Sequence, residues 1–300
     1  MIANNIVEAY AAHRAQLSGS QQLPSVLLIC VKYGADAETA QYLESLGKLR
    51  GQRNLRVIVV DNTVGADPRG LPTDLNLTLV RSEENLGYFG GARSGLTHHL
   101  RQHPLPDWVI VSNVDLLVAD SQFLEKLALL RRPGLGVVAP SIRSALTGRD
   151  QNPFMRSRPS AARMHAFKWM FRSWFLLNAY ELVSAMYHKL RSASSTRRVA
   201  PTYLREDRGK SIYAAHGAFL IFSNEYFRAG GNLDFPCFLF GEEIYLAESL
   251  RRVGLDAVYE PSLEVIHQEH KTTRFVKSRK LARVVASSAA YCADAYFPLK

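Results

Sequence analysis

The chain has 300 residues, 47% of them apolar and 21% charged, which is the balance of a folded protein and excludes a disordered or fibrous one. Its three cysteines, Cys30, Cys237 and Cys292, show no paired spacing, which argues against a disulfide framework or a cysteine zinc site and for reduced thiols. The net charge of +10 is local: Ser141–Lys210 holds 14 Lys+Arg against 4 Asp+Glu, while the rest of the chain has 23 of each.

Residues 1–24 are read as a helical extension; with Glu8 and Arg14 and no apolar core, they do not resemble a signal peptide. No stretch nears the roughly 18 uncharged apolar residues that a membrane span needs. A cytoplasmic location is therefore expected. From Ser25 the pattern changes. Short apolar runs at 25–31, 55–60, 75–80 and 108–112 alternate with helix-like stretches, notably 36–50 and 91–102. Near-continuous apolar strands between helices predict an α/β architecture with a mostly parallel sheet covered on both faces. Such sheets bind ligands beyond the carboxyl ends of their strands, where Asp61, Asn62, Asn113 and Asp115 fall.

The middle of the chain is different. Residues 141–163 read as loop. Phe167, Met170, Phe171, Trp174 and Phe175 then fall at helical spacing within a helix expected over 165–190, and 191–210 is again basic and loop-like. Two readings fit this basic aromatic segment: an element lying on an anionic membrane surface, or a helix packed in the core or in a homodimer. Strand character resumes at 212–222, followed by a helix near 242–253, a strand near 256–259 and a C-terminal helix over about 274–294. Nucleic acid is not an expected partner, because no recognition motif accompanies the charge.

Each polar candidate has a plain structural reading beside the chemical one. Asp115, ending the run Ser112-Asn113-Val114-Asp115, suits a divalent cation and equally suits a turn cap. Asp61 and Asn62 could hydrogen-bond a nucleoside or simply close a turn. The glycine-rich stretch Glu84–Arg93 opens a helix, where backbone N–H groups suit phosphate and glycine permits close approach of a ligand. Glu242 and Glu243 share a predicted helix start, which favours the ionised carboxylate that a general base needs. His267 ends an apolar run, where a satisfied structural histidine is the commoner case.

In order, these pieces resemble the family 2 inverting glycosyltransferases with the GT-A fold, in particular the bacterial rhamnosyltransferase-like branch that builds surface polysaccharide. The resemblance covers about residues 25–270, leaving 271–300 as a helical tail and 141–210 as an insertion. It implies donor contacts at Tyr33, Asp61, Asn62, Asn85, Gly87, Gly91 and Asn113. It also implies a Mg²⁺ or Mn²⁺ held by Asp115 and His267, and catalytic carboxylates at Glu243 and Glu242. The motif Phe238-Leu-Phe-Gly-Glu-Glu matches the family's Phe-x-x-Gly-Glu-Asp, with Glu243 at the base position. The sequence departs from the family at Val31-Lys32-Tyr33-Gly34, where Thr-Tyr-Asn is usual, and at Asn113, which replaces one acid of the metal motif. The implied partners are a nucleotide-sugar donor, UDP- or dTDP-linked, and a saccharide or lipid-linked acceptor at the inner face of the membrane. A nucleotidyltransferase is the rival enzyme, and it would need a glycine-rich basic loop after the first strand that this chain lacks. A nucleotide-sugar-binding protein without catalysis is the other rival.

Overall fold

An apolar run ending in Lys32 forms β1 (Val26–Lys32), and both faces of this strand are buried. Leu27 and Ile29 enter one hydrophobic cluster, while Val26, Leu28 and Cys30 enter the cluster on the opposite face. A strand buried on both faces cannot alternate polar and apolar residues, which is why the run is nearly unbroken. The helix α1 (Asp36–Gly47) contributes Tyr42, Leu43 and Leu46 to the second cluster. The computed structural model describes residues 23–65, 74–193, 208–268 and 278–299.

β1 pairs in parallel with β2 (Leu55–Asp61), and β2 pairs in parallel with β3 (Asn76–Arg81). The helix α2 (Gly87–Leu100) returns the chain across the sheet to β4 (Trp108–Ser112), which lies parallel to β1 on its other side. Gly95 lets α2 sit close: a Cβ there would lie 2.7 Å from Ile29 and 2.9 Å from Val60. The two-residue strand β5 (Leu116–Leu117) and the helix α3 (Phe123–Ala128) precede the long β6 (Leu135–Ser144). Then follow α4 (Ala161–Phe171), α5 (Trp174–Ala193), β7 (Ser211–Ile212), β8 (Phe219–Ser223) and α6 (Asn224–Arg228). The chain closes with α7 (Glu242–Val253), β9 (Asp256–His267) and α8 (Arg279–Tyr296).

The sheet runs β3-β2-β1-β4-β8-β6-β9-β5, with β7 on β9. Its long registers are parallel, β6 with β9 included, and antiparallel pairing enters through β8 and the short β5 and β7. This is the mostly parallel α/β sheet, flanked by helices, that the apolar runs predicted.

Several boundaries differ from expectation, among them the loop read over 141–163, since β6 runs through Ser144 and α4 begins at Ala161. The run 212–222 is not one strand. Between β7 and β8 the chain leaves the sheet, because Ala214 pairs with Met155 and the His216 N–H is taken by Asn152 Oδ1 at 2.8 Å. The aromatic helix is two helices, broken at Arg172–Ser173, so Trp174 and Phe175 do not continue the face begun by Phe167. Ser173 supplies the local reason, since its hydroxyl accepts from Leu176 N–H at 3.4 Å and starts a new helix. The strand at 256–259 continues to His267. Most of the extension over 1–24 and most of the basic loop over 191–210 lie outside the described residues. No described helix is long and apolar enough to cross a membrane.

Candidate active site

Asp115 and His267 are far apart in sequence but adjacent in space. The short β5 that follows Asp115 pairs antiparallel with the end of β9, in the register Leu116 to His267. Gln268 N–H then donates to the Asp115 carbonyl at 2.8 Å. Asp115 Oδ2 consequently lies 3.2 Å from His267 Nε2, with the carboxylate partly open and the imidazole largely covered. The other ring nitrogen, Nδ1, lies 2.7 Å from Gln151 Oε1. An amide oxygen only accepts, so this contact orients Nδ1 as the donor and turns Nε2 toward Asp115.

This pair suits a divalent cation. Adjacent ligands each about 2.1 Å from such an ion stand about 3.0 Å apart, close to the separation found here. Among the described residues no third His, Cys, Asp or Glu joins them, so the remaining ligands would be substrate oxygens and water. Asn113, part-buried, is held by its backbone N–H on the Ala218 carbonyl at 2.9 Å.

His216 stands beside this pair, its ring centroid 6.2 Å from that of His267 and 6.0 Å from that of Phe154. Burial, reinforced by His267, pushes its imidazole down to about 4, so it is neutral near pH 7. Its Nδ1 accepts from Ala218 N–H at 3.2 Å, which locks the turn holding Gly217. Gly217 N–H donates to Glu243 Oε1 at 3.3 Å, and Tyr88 O–H donates to the Gly217 carbonyl at 2.7 Å. A Cβ at position 217 would sit 2.8 Å from Glu243 Oε1, so glycine makes room for the carboxylate. Burial first, then the charges of Glu242, Glu243 and Asp115, push the Tyr88 phenol well up. The charges of all three acids therefore act on one phenol.

The helix start does not keep both glutamates ionised, as its dipole suggested. Burial, then the charge of Glu243, pushes Glu242 up to about 8, and burial also raises Glu243. A helix terminus stabilises a carboxylate by at most ~2 kcal/mol, and here desolvation outweighs it. Between the unfolded carboxylate value of about 4.3 and about 8, the native state holds more protons at Glu242 than the unfolded chain does, so stability falls as pH rises through that window. Glu242→Gln is expected to flatten this decline and to raise stability on the order of 1–2 kcal/mol at pH 8, while differing little from the parent near pH 4. Urea melts at the two pH values measure it, and a variant less stable at pH 8 would contradict the sign.

Of the residues to which the resemblance assigned donor contacts, Asp61 and Asn62 lie at the end of β2 and Gly87 and Gly91 in the first turns of α2. Asp61 is buried, accepting from Lys32 Nζ at 2.7 Å and from Thr63 N–H at 2.9 Å. Burial opposes its charge, but these hydrogen bonds outweigh it and hold the carboxyl below its usual range. Lys32, in register with Asp61, also pairs with Asp36 at 2.7 Å. This lysine, the last residue of β1 and part of the departure from the family pattern, thus organises the loop end where the aspartate was expected to contact the donor. Tyr33 is widely exposed. Asn62 is buried and donates through Nδ2 to the Gly87 carbonyl at 2.9 Å, while Asn85 Oδ1 accepts from Gly87 N–H at 3.0 Å.

At Gly87 and Gly91 the space that a side chain would take is filled by protein. Gly87 has φ +73, and a Cβ there would fall 1.9 Å from the Phe238 carbonyl oxygen. At Gly91 a Cβ would meet Val31 at 2.8 Å and Asn62 at 3.2 Å. The stretch seats α2 against the sheet and against the loop that leads to Glu242 and Glu243. Gln151, His216, Gly217 and Tyr88 were not picked out from the sequence, since their roles arise from contacts across the fold.

No protein-family model matches the chain. It is 26% identical over 282 residues to the N-acetylglucosaminyl-diphospho-decaprenol L-rhamnosyltransferase of Mycobacterium tuberculosis, an alignment covering 89% of this chain and 83% of that protein. Its fold is similar to that of the mannosyltransferase PcManGT from Pyrobaculum calidifontis, solved with GDP-Man and Mn²⁺, at TM-score 0.50 and 17% identity over 95% of this chain and 76% of that one. It is likewise similar to S. aureus TarS 1–349 in complex with UDP-GlcNAc, at TM-score 0.51 and 11% identity over 92% of this chain and 68% of that one. The near full-length likeness to a rhamnosyltransferase agrees with the ordered motifs from Asp61 to His267, which resemble those of the family 2 glycosyltransferases, and the fold is the GT-A fold of these solved glycosyltransferases.

Proposed function

We propose that this glycosyltransferase moves a deoxyhexose, with rhamnose the first candidate, from a UDP- or dTDP-sugar onto a hydroxyl of a lipid-linked saccharide, with inversion at the anomeric carbon. Supporting the acceptor class and the sugar is the relative, whose name specifies rhamnosyl transfer to an N-acetylglucosaminyl-diphospho-decaprenol. Carrying the chemistry is the juxtaposition of the Asp115–His267 pair with Glu243 across the Gly217 turn. The reaction is assigned to the cytoplasmic face of the membrane, where nucleotide-sugars are made.

Asp115 and His267 would hold a Mg²⁺ or Mn²⁺, which supplies charge stabilisation for the departing nucleoside diphosphate. Gln151 fixes the imidazole so that Nε2 stays available. Glu243 takes the proton of the acceptor hydroxyl as that oxygen attacks the anomeric carbon from the face opposite the leaving group. Its raised pKa brings it nearer to neutral pH, where a base is most effective. Glu242, largely protonated at neutral pH, adds no second negative charge beside it. Tyr88 and His216 hold the Gly217 turn that positions Glu243.

A panel of UDP- and dTDP-sugars with a polyprenyl-diphosphate-linked N-acetylglucosamine acceptor tests this reading. Turnover is expected with a deoxyhexosyl donor, and NMR of the product should show the anomeric configuration inverted. Retained configuration would eliminate the single displacement, and transfer only to water would eliminate the acceptor class.

A further inference from the structure

The first turns of the helix α5, Trp174 to Val183, bury Leu177 on one side and leave an apolar stripe uncovered on the other. Leu177 is fully buried against Ala282 and Val285 of α8, with Trp174 packed beside them. Asn178 and Glu181 continue this inner stripe at helical spacing and are part-buried. The opposite stripe, Phe175, Leu176, Ala179, Tyr180, Leu182 and Val183, is exposed and contains no charged residue. Phe175 and Val183 are 73% and 64% exposed, and Trp169 at the end of α4 is 68% exposed. A surface helix ordinarily turns a polar face outward, and one that is apolar all round is normally covered.

The charges beside this stripe indicate what covers it. Arg163 of α4 and Arg172 at its C-terminal end, with Arg279, Lys280 and Arg283 of α8, are exposed beside α5. Arg279 and Arg283 lie within one turn of Ala282, which touches Leu177. Asp294 is engaged by Lys168 at 2.6 Å and does not offset these arginines. A second copy meeting the same face through a two-fold axis would bring two such basic rims together, which is unfavourable. An anionic bilayer meets both requirements at once, because headgroups attract the basic rim while the aromatic and aliphatic stripe enters the interface.

We propose that the exposed stripe of α5, with Trp169, docks the protein on an anionic lipid bilayer. This rests on the surface alone and not on the transfer reaction, so it is tested with no donor or acceptor present. Flotation of the full chain with phosphatidylcholine vesicles, with and without phosphatidylglycerol, is the experiment. Binding is expected only with the anionic lipid, weakening as salt rises. Replacing Arg172 and Arg279 together by Gln should weaken it about 25-fold, from about five-fold per basic residue. Phe175→Ser with Val183→Ser should abolish it, with circular dichroism unchanged because neither side chain is buried. Trp169 emission should shift to the blue on anionic vesicles, and that shift should vanish in Trp169→Phe. Equal binding to both vesicle types overturns the proposal, as does absence of binding. So would loss of self-association, rather than of flotation, in the Phe175/Val183 variant.

Discussion

Glu243→Gln is expected to lower sugar transfer by about 10²–10⁴-fold while leaving donor affinity and the melting temperature close to those of the parent, because proton removal by a placed carboxylate is worth that much. Glutamine keeps the shape of the side chain and its amide oxygen can still accept from Gly217 N–H, so the turn that carries Glu243 is preserved. Only the proton acceptor is lost. The pH profile gives a second readout. Burial raises Glu243, so the acid limb of kcat/KM in the parent should lie above the ordinary carboxylate range and should disappear in the variant. Glu242→Gln should lower transfer less, since that carboxyl is largely protonated at neutral pH. If Glu242→Gln is the more damaging, the two roles are exchanged. If neither variant alters transfer, the carboxylates are structural, and the family chemistry is carried elsewhere.

The second large effect is expected at Asp115. Asn113 stands where an acid is usual, so Asp115 is the only carboxylate of that motif, and Asp115→Asn leaves His267 without its anionic neighbour. Mn²⁺ affinity, followed by electron paramagnetic resonance without substrates, should fall at least 10²-fold, and metal-stimulated transfer should fall with it. Gln151→Leu should cost a further, smaller amount, about 10–100-fold in affinity, because it frees the imidazole to turn without removing a ligand. The graded order Asp115→Asn, then Gln151→Leu, is what separates a metal centre from an ordinary ion pair. In an ion pair Gln151 would affect thermal stability and leave Mn²⁺ binding unchanged.

The two effects bear on different parts of one reaction, and they should not combine as independent losses. Glu243 and the Asp115–His267 pair are linked through one short turn, with His216 locking it from one side and Tyr88 from the other. Residues that act on the same displacement are strongly non-additive. The turn also explains the narrow choice at Gly217, where any side chain would press on the base.

Much of this arrangement was legible in the sequence because strand-forming runs are local. Val26–Lys32, Leu55–Asp61 and Trp108–Ser112 are apolar because both faces of a parallel sheet are covered, and their ends place Asp61 and Asp115 at the carboxyl edge without further information. Asp115, His267, Glu242 and Glu243 could be named because they stand at element boundaries. What the chain order could not supply were relations between distant segments. The contact of Asp115 with His267 depends on a two-residue strand too short to show periodicity. Gln151 lies in a stretch that reads as plain loop, and it reaches His267 only because Asp150 and Asn152 tie that loop to Ile142 and Pro140. The glycines after Asn85 carried the right spacing for a ligand loop, yet their missing side chains are filled by Phe238, Val31 and Asn62, which are remote in sequence. The protonation of Glu242 likewise follows from burial, a property of the packed interior, which reversed what the helix start alone would favour. The sequence by itself determined the sheet and the positions of the acids along the chain. The tertiary structure decided which groups touch, which charges survive desolvation and which apolar face of α5 is left uncovered, because packing and dielectric are set by neighbours and not by order.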